Sequence, residues 1–384
     1  MPSNTSEVTD PARAPETMVS PALPARYYTD PQVFDLEKRK IFGRSWQLVG
    51  HESDLPRSGA RIVGRVADQE VLVVRTESGG LAAYLNVCRH RGSRLAVGPE
   101  PEGKAIRCPY HGWTYKLDGR LVGAPEGRRI PCLDKAGLGL HPARVESFLG
   151  LLFVNLDTDA VPLADRLPGL PERISRYMDR LEPIGSRRIH NMEGAERQPA
   201  NWKIVVDNYL EGYHVPVAHP GLMRLLDYRR YTAEVHDSYV LFEAPLRGKP
   251  SSNRLERLYQ QVVEPMPGLE KSDRRVWRYV TIYPNTMIDL YPDHVLAWSM
   301  VPTAVDQVAV PGAYYGRAGA SWRTRVAQRL NIRIGNITND EDILLVGRVQ
   351  RGLAISGYEM GPLSEREIAV GWFADRVRAD LGKL

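Results

Sequence analysis

Hydrophobic spacing changes character three times along this chain. Between Asp30 and Trp46 the apolar residues Val33, Phe34, Leu36 and Ile41 recur with charges between them, which predicts a helix. From Trp46 onward short runs rich in Val, Leu and Ile are cut by Gly, Pro, Asp and Ser. Trp46–Gly50, Ala60–Gly64, Glu70–Arg75, Leu81–Asn86 and Phe148–Asn155 read as strands. Gly79-Gly80 marks a hairpin turn, and Trp113–Lys116 followed by Leu117–Arg120 marks another. Beyond Asp157 the texture is mixed. Helices are expected over Ala164–Leu181, Asn201–Tyr213 and the long segment Trp322–Leu353, and strands over 231–246 and 276–302. Ser364-Glu-Arg-Glu367 is a capping box that opens a C-terminal helix. The expected class is therefore α+β: a small all-β domain over 46–155, with 25–45 and 156–384 forming a second unit.

Composition narrows the function classes. Apolar residues make up 43% and charged residues 25% of 384, ordinary values for a chain that buries a large core. The formal charge of +5 is spread over isolated Arg pairs and gives no basic stripe for nucleic acid. No run is long and apolar enough for a membrane span. Residues 1–24 are rich in Pro, Ser, Thr and Ala without an apolar h-region, and read as a flexible leader. Three cysteines, Cys88, Cys108 and Cys132, suit a reducing cytoplasm rather than a disulfide framework. Cys132 is expected as a packed core thiol. No GxGxxG or Walker sequence occurs, and Gly137-Leu-Gly139 lacks the rest of the fingerprint, so binding of NAD or FAD by the chain itself is not expected.

The chemistry concentrates in two loops. Cys88-Arg-His90 and Cys108-Pro-Tyr-His111 each pair a thiol with an imidazole across a gap of 17 residues. A zinc finger groups two cysteines, then two histidines. Here each loop supplies one of each, which suits a two-iron, two-sulfur cluster with thiolates on one iron and imidazoles on the other. Gly92 and Gly112 permit tight turns beside these residues, and Pro109 stiffens the second loop.

A second set lies in Asn201–Pro220. His214 and His219 are five residues apart, about 140° out of register on a regular helix. Pro216 is expected to end the helix after His214 and bend the chain, so that His219 swings back to the same centre. Two imidazoles invite a carboxylate to complete an iron site with open positions. The acidic run Asn339-Asp340-Glu341-Asp342 is the best source, although a negatively charged helix start explains it equally.

Cys88-Arg-His90-Arg-Gly92 with Cys108-Pro-Tyr-His111-Gly-Trp113 resembles the Rieske domain of the Rieske-type non-haem iron oxygenases. The resemblance implies an all-β Rieske domain plus a helix-grip catalytic domain, an antiparallel sheet with a long C-terminal helix. It implies a [2Fe-2S] cluster on Cys88, His90, Cys108 and His111, and Fe(II) on His214, His219 and Asp342, with Asp340 as the substitute. The late acidic run should lead into a Gln350-x-Gly352 turn. Glu211, three residues before His214, takes the position of an acid that bridges the metal sites, hydrogen-bonding His214 and His111 of a neighbouring subunit. Many members have Asp there. Asp207 is the alternative bridge, and Asn208 lines the iron site. Tyr213 and Trp202 are expected as packing residues.

The family further implies a homotrimer, fed from NAD(P)H by a separate reductase, with or without a ferredoxin, and a terminal oxygenase that hydroxylates or demethylates its substrate with dioxygen. The runs around His214 and Tyr291-Pro-Asp293-His294 are most similar to the choline and betaine monooxygenase subgroup. Tyr228, Tyr231, Tyr239, Phe242, Trp277, Tyr279, Tyr291 and Trp298 could form an aromatic cage for a quaternary ammonium, stack on an aromatic substrate, or pack as core. The expected substrate is an aromatic or other small organic molecule, with a quaternary ammonium compound as the alternative. An electron carrier without oxygenase activity is the alternative class.

Overall fold

The computed structural model describes residues 19–100 and 102–382. Two antiparallel sheets organise it. The first has six strands in the order Gln47–His51, Leu151–Asn155, Pro142–Phe148, Leu81–Leu85, Gln69–Arg75 and Arg61–Val66. A small sheet of Ile106–Arg107, Thr114–Tyr115 and Leu121–Gly123 sits beside it and carries the second Cys-His loop. Among the described residues before Asn155 the only helical segments are short. They comprise Arg26–Thr29, Pro31–Glu37, a π-turn over Lys38–Phe42 and single 3₁₀ turns.

The second large sheet has seven strands, ordered Leu181–Ile184, Gly312–Arg317, Val295–Ser299, Thr286–Leu290, Val276–Ile282, Tyr239–Pro245 and Thr232–Val235. Alternation divides its faces. Val280, Ile282, Ile288, Leu290, Val295, Ala297, Ala313 and Tyr315 join one buried cluster with the helix Leu170–Met178. The intervening Trp277, Tyr279, Asp289, Leu296, Trp298 and Tyr314 line a cavity on the other face. The 32-residue helix Trp322–Leu353 closes that cavity, presenting Asn331, Gly335, Thr338 and Asp342 on one stripe. This is the helix-grip arrangement expected, within the α+β class. Ser364 and Glu367 form the capping box before the helix Ile368–Leu381.

A second buried cluster joins the two regions. Val49, Ile62 and Val71 share it with Trp202, Ile204, Met287 and Phe373. Glu37 lies at its centre, fully buried, receiving Lys203 Nζ at 2.5 Å and Trp202 Nε1 at 2.8 Å. Burial pulls the Lys203 ammonium below its ordinary pKa, and Glu37 opposes that pull. Removing one member of such a pair strands the other. We expect Glu37→Gln to cost about 3–5 kcal/mol and Glu37→Gln with Lys203→Met to recover part of it. Thermal and denaturant unfolding midpoints measure both. A single variant as stable as the parent contradicts the assignment.

Several sequence expectations need correction. The first helical segment ends at Phe42 rather than Trp46, because Trp46 leads directly into the strand at Gln47. Pro168 and Gly169, the latter left-handed at φ 76°, split the expected helix 164–181 into Leu163–Arg166 and Leu170–Met178, and Leu181 begins a strand. The acidic run at 340–342 is not a helix start but lies in the middle of Trp322–Leu353. Gln350-x-Gly352 is not a turn; it is the last helical turn, where Gln350 Oε1 accepts the Asn201 amide at 2.6 Å. Cys132 is exposed, in a loop with φ +56°, instead of packed in the core. Tyr213 is exposed at 58%, whereas Trp202 is fully buried as expected. Of the expected leader, residues 1–18 lie outside the described residues. Leu23 is buried, and Arg378 donates to Pro21 and Ala22 carbonyls, so 19–24 are docked. Strands at 181–184, 196–198 and 307–317 and the helix Arg254–Val262 carried too short or too mixed a pattern to be expected.

Candidate metal centres and substrate cavity

The two Cys-His loops are built alike. The Cys88 carbonyl accepts the Gly92 amide at 3.0 Å, and the Cys88 amide donates to Ser93 O at 2.8 Å. The Cys108 carbonyl accepts Gly112 N at 3.1 Å, and its amide donates to Trp113 O at 2.8 Å. Each loop closes on a left-handed glycine, Gly92 at φ 73° and Gly112 at φ 67°, a conformation other residues adopt only at a cost. Both thiols are buried, while the imidazoles of His90 and His111 reach the surface with ring centroids 4.6 Å apart. His90 stacks on Trp113 and His111 on Tyr110.

The donor chemistry fits a cluster with thiolates inside and imidazoles outside. His90 Nδ1 is buried with no hydrogen-bond partner. Partial desolvation, then His111 and Arg91, hold the His90 pKa below its ordinary value, so the ring is a neutral donor. Burial raises the Cys108 thiol, but the amides of Tyr110 and His111 outweigh it and favour the thiolate. Tyr115, which sequence reasoning passed over, places its hydroxyl 3.3 Å from Cys88 Sγ and accepts Arg89 N at 3.1 Å. A hydrogen bond to a ligand sulfur tunes a cluster's potential. Tyr115 gives no local signal in sequence beyond its place in a hairpin.

The second centre forms around two short helices, not one broken helix. The helix from Trp202 ends at Tyr209, five residues before His214. Pro216 does not end it; it sits in the first turn of a new helix, Val215–Ala218, where a missing N–H costs nothing. His214 precedes that helix. His219 follows it, and Pro220 starts the next one, Pro220–Leu225. A residue before proline is pushed out of the α region, and His219 has φ −120° and ψ 75°. That turns its ring back toward His214. Glu211 is therefore on the loop between helices rather than on a helix face.

His214 Nε2 and His219 Nε2 lie 3.0 Å apart, and Asp342 Oδ1 is 3.0 Å from the second and 3.6 Å from the first. Each histidine's other nitrogen meets a carboxylate: His214 Nδ1 pairs with Glu211 Oε1, and His219 Nδ1 with Glu341 Oε2 at 2.7 Å. Those contacts place the ring protons on Nδ1 and leave both Nε2 lone pairs facing Asp342. With the ring protons there, the two Nε2 atoms and Asp342 Oδ1 form a converging set of three ligand atoms that fits a cation. Burial lowers the His219 pKa, but Asp342 and Glu341 overcome this and raise it, so the centre attracts positive charge. Asn208 Nδ2 donates to Asp342 Oδ1 at 3.2 Å.

Glu211 is held in place by three contacts. Its Oε2 accepts the amides of Tyr213 and His214, which fixes the carboxylate against the His214 ring. Asp207 points elsewhere: its Oδ2 accepts the Tyr28 hydroxyl at 2.7 Å, and no contact reaches either histidine. Burial pushes Asp207 up to about 7. Asp340 is exposed and outside the cluster. Glu341 was not singled out from sequence, although its adjacency to Asp342 was visible.

His214, His219 and Asp342 open on the cavity of about 230 Å³ between sheet and helix. Its walls include Tyr209, Tyr228, Tyr231, Trp277, Tyr279, Tyr291 and Trp298. Of the eight aromatics considered from sequence, Tyr239 and Phe242 do not line it and pack in the core. Sequence reasoning missed Tyr209 and Asp289.

Residues 45–134 match the Rieske [2Fe-2S] domain model, and 178–383 match the ring hydroxylating alpha subunit catalytic domain. The chain belongs to the ring-hydroxylating, Rieske-type non-haem iron oxygenase alpha subunits. It is the terminal oxygenase component, an enzyme with a [2Fe-2S] domain and a non-haem iron catalytic domain. It is 32% identical to the carnitine monooxygenase oxygenase subunit of Acinetobacter baumannii, over 88% of this chain and 86% of that one. It is 30% identical to the glycine betaine monooxygenase oxygenase subunit of Chromohalobacter salexigens, over 94% and 86%. A solved quaternary ammonium Rieske monooxygenase superposes with a TM-score of 0.81 at 28% identity, covering 95% of this chain and 96% of that chain. Naphthalene 1,2-dioxygenase from Rhodococcus shares the fold, with TM-score 0.73 at 23% identity over 94% of both chains. Among the described residues, no helix is long and apolar enough to cross a membrane.

Proposed function

We propose that this oxygenase monooxygenates a small quaternary ammonium compound, by hydroxylation or oxidative N-demethylation, in the cavity beside His214, His219 and Asp342. The observation that carries this is one cavity, walled by aromatic faces, onto which a three-acceptor centre opens. Aromatic faces bind tetraalkylammonium groups by cation–π attraction. The relatives named for carnitine and glycine betaine support the same class. Cys88, Cys108, His90 and His111 hold the cluster, and His214, His219 and Asp342 hold the iron. The cluster supplies single electrons, and the iron supplies the site of dioxygen activation.

The protein's own residues do the rest. Glu211 and Glu341 keep the two imidazoles in the Nδ1–H tautomer and aimed inward. Asn208 holds the Asp342 carboxylate. Val205, Leu222, Met223, Leu226 and Ile334 exclude water around the substrate. Inserting one oxygen atom into a C–H bond and reducing the other to water consumes two electrons and two protons; a separate NAD(P)H-dependent reductase provides the electrons, directly or through a ferredoxin, and solvent provides the protons. The chain works as a homotrimer in the cytoplasm. His111, beside the exposed Tyr110, meets Glu211 of a neighbouring subunit, and the solved relative described for inter-subunit electron transfer supports that arrangement.

Coupled oxygen uptake and product formation, with a generic reductase, test the substrate class. Carnitine, glycine betaine and choline are compared with benzoates and naphthalene. Tight coupling for one of the ammonium compounds is expected. Coupling confined to the aromatic compounds would overturn the proposal.

A further inference from the structure

Asp289 is a carboxylate enclosed in the cavity wall, 5% exposed. Its Oδ1 accepts the Tyr209 hydroxyl at 2.5 Å and Trp298 Nε1 at 3.2 Å, and Tyr291 Oη lies 3.5 Å from Oδ2. These donors satisfy hydrogen bonds but carry no charge. Among the described residues no Lys or Arg forms an ion pair with Asp289. An uncompensated buried carboxylate is costly to keep. Here it faces a cavity rather than the core, so the compensating charge can come from a ligand.

The aromatic walls are oriented around it. Tyr209 stands perpendicular to Trp298 at 5.2 Å and to Tyr279 at 6.1 Å, and Tyr279 stands perpendicular to Tyr291 at 6.4 Å. Polar edges of Tyr209, Trp298 and Tyr291 are tied to the carboxylate, and the locked rings line the cavity. Tyr209 follows Asn208 on one helix, so adjacent residues reach Asp289 and Asp342 respectively. The charged wall and the metal centre thus share one rigid support.

We infer that Asp289 is the fixed counter-ion of the cavity, the residue that selects a cationic methylammonium group over a neutral group of the same shape. The inference rests on reading this cavity as the substrate site, and deepens it by naming what enforces the choice. Tyr209, Tyr279 and Tyr314 from three neighbouring elements, with Tyr291 and His294 beyond its own strand, are titratable groups facing Asp289, and the same cavity is lined by Arg187, which lies over Tyr314, and by Glu196 and Asp227. Burial pushes Asp289 up to about 6, with Tyr209 and Trp298 opposing the rise. A cation binds the ionised form, so affinity is full above that pH and is lost as pH falls through it.

Choline and 3,3-dimethylbutan-1-ol differ only in nitrogen against carbon and make the test. Calorimetric titration of the iron-loaded protein at pH 7.5 should show choline binding at least about tenfold tighter, and Asp289→Asn should bring the two within roughly threefold. Iron content and cluster absorbance establish that the variant is folded. The parent protein gives a second reading without any variant: choline affinity should weaken below about pH 6, and that of the neutral alcohol should not. Equal binding of both compounds by the parent, binding of neither at millimolar concentration, or a preference retained by Asp289→Asn overturns the inference. The oxygenase reading is judged separately, by coupled product formation.

Discussion

Asp342→Ala is expected to remove the mononuclear iron while leaving the cluster in place. Asp342 supplies the single carboxylate among three converging acceptors, and it supplies the negative charge that two neutral imidazoles lack. Among the described residues no hydrogen bond or ion pair joins Asp342 to the cluster loops, so their absorbance should be unchanged. Iron per chain should fall by one third at unchanged labile sulfide. Product formation should fall by at least ~10³-fold, because the site of oxygen activation is gone. Asp340→Ala, two residues and about 200° round the helix on the exposed side, should leave both quantities as they are. A full iron complement in the Asp342 variant would return the assignment to Asp340 or Glu341.

Glu211→Ala should separate electron delivery from metal binding. The Glu211 carboxylate is the only side chain on His214 Nδ1 among the described residues, and the loop carrying it is partly open to the surface. Losing it weakens iron affinity by about 10–100-fold, which excess Fe(II) offsets. With iron restored and substrate present, re-oxidation of the pre-reduced cluster by dioxygen should slow by about 10–100-fold, the size that interactions supporting a metal site carry. Asp207→Ala, whose partner is Tyr28, should not slow re-oxidation at all. Stopped-flow absorbance of the cluster reads both. Equal rates for parent and Glu211→Ala would remove Glu211 from the path, and a slow Asp207→Ala would put Asp207 there instead.

The parts of the site legible in sequence were those written locally. Cys88-x-His90 and Cys108-x-x-His111 each fit in one turn, so spacing alone defined the donor set. His214 and His219 were legible as a pair, but the physical reason was misplaced. Pro216 opens a helix instead of closing one, and Pro220 turns His219. Asp342 needed the family resemblance, because nothing local in sequence marks which acid of 340–342 faces inward. The helical stripe Asn331, Gly335, Thr338 and Asp342 decides it. Asp289 was not legible. Its role depends on Tyr209, Trp298 and the helix at 342 arriving together from three distant segments, while the neighbouring Tyr291-Pro-Asp293-His294 drew attention as a motif. Asp293 and His294 turn out fully buried and outside the cavity lining. Cys132 misled for the opposite reason, since a free cysteine is usually buried and this one lies on an exposed left-handed turn.

A single-turnover experiment addresses the joint role of the two centres most directly. The iron-loaded protein is fully reduced, freed of reductant, and mixed with dioxygen and the best-coupled ammonium compound, with no reductase present. The account predicts that the cluster re-oxidises and that hydroxylated or demethylated product forms in near-equal amount to the occupied iron sites. Re-oxidation of the cluster with no product, at full iron content, would contradict it and leave an electron carrier in place of an oxygenase.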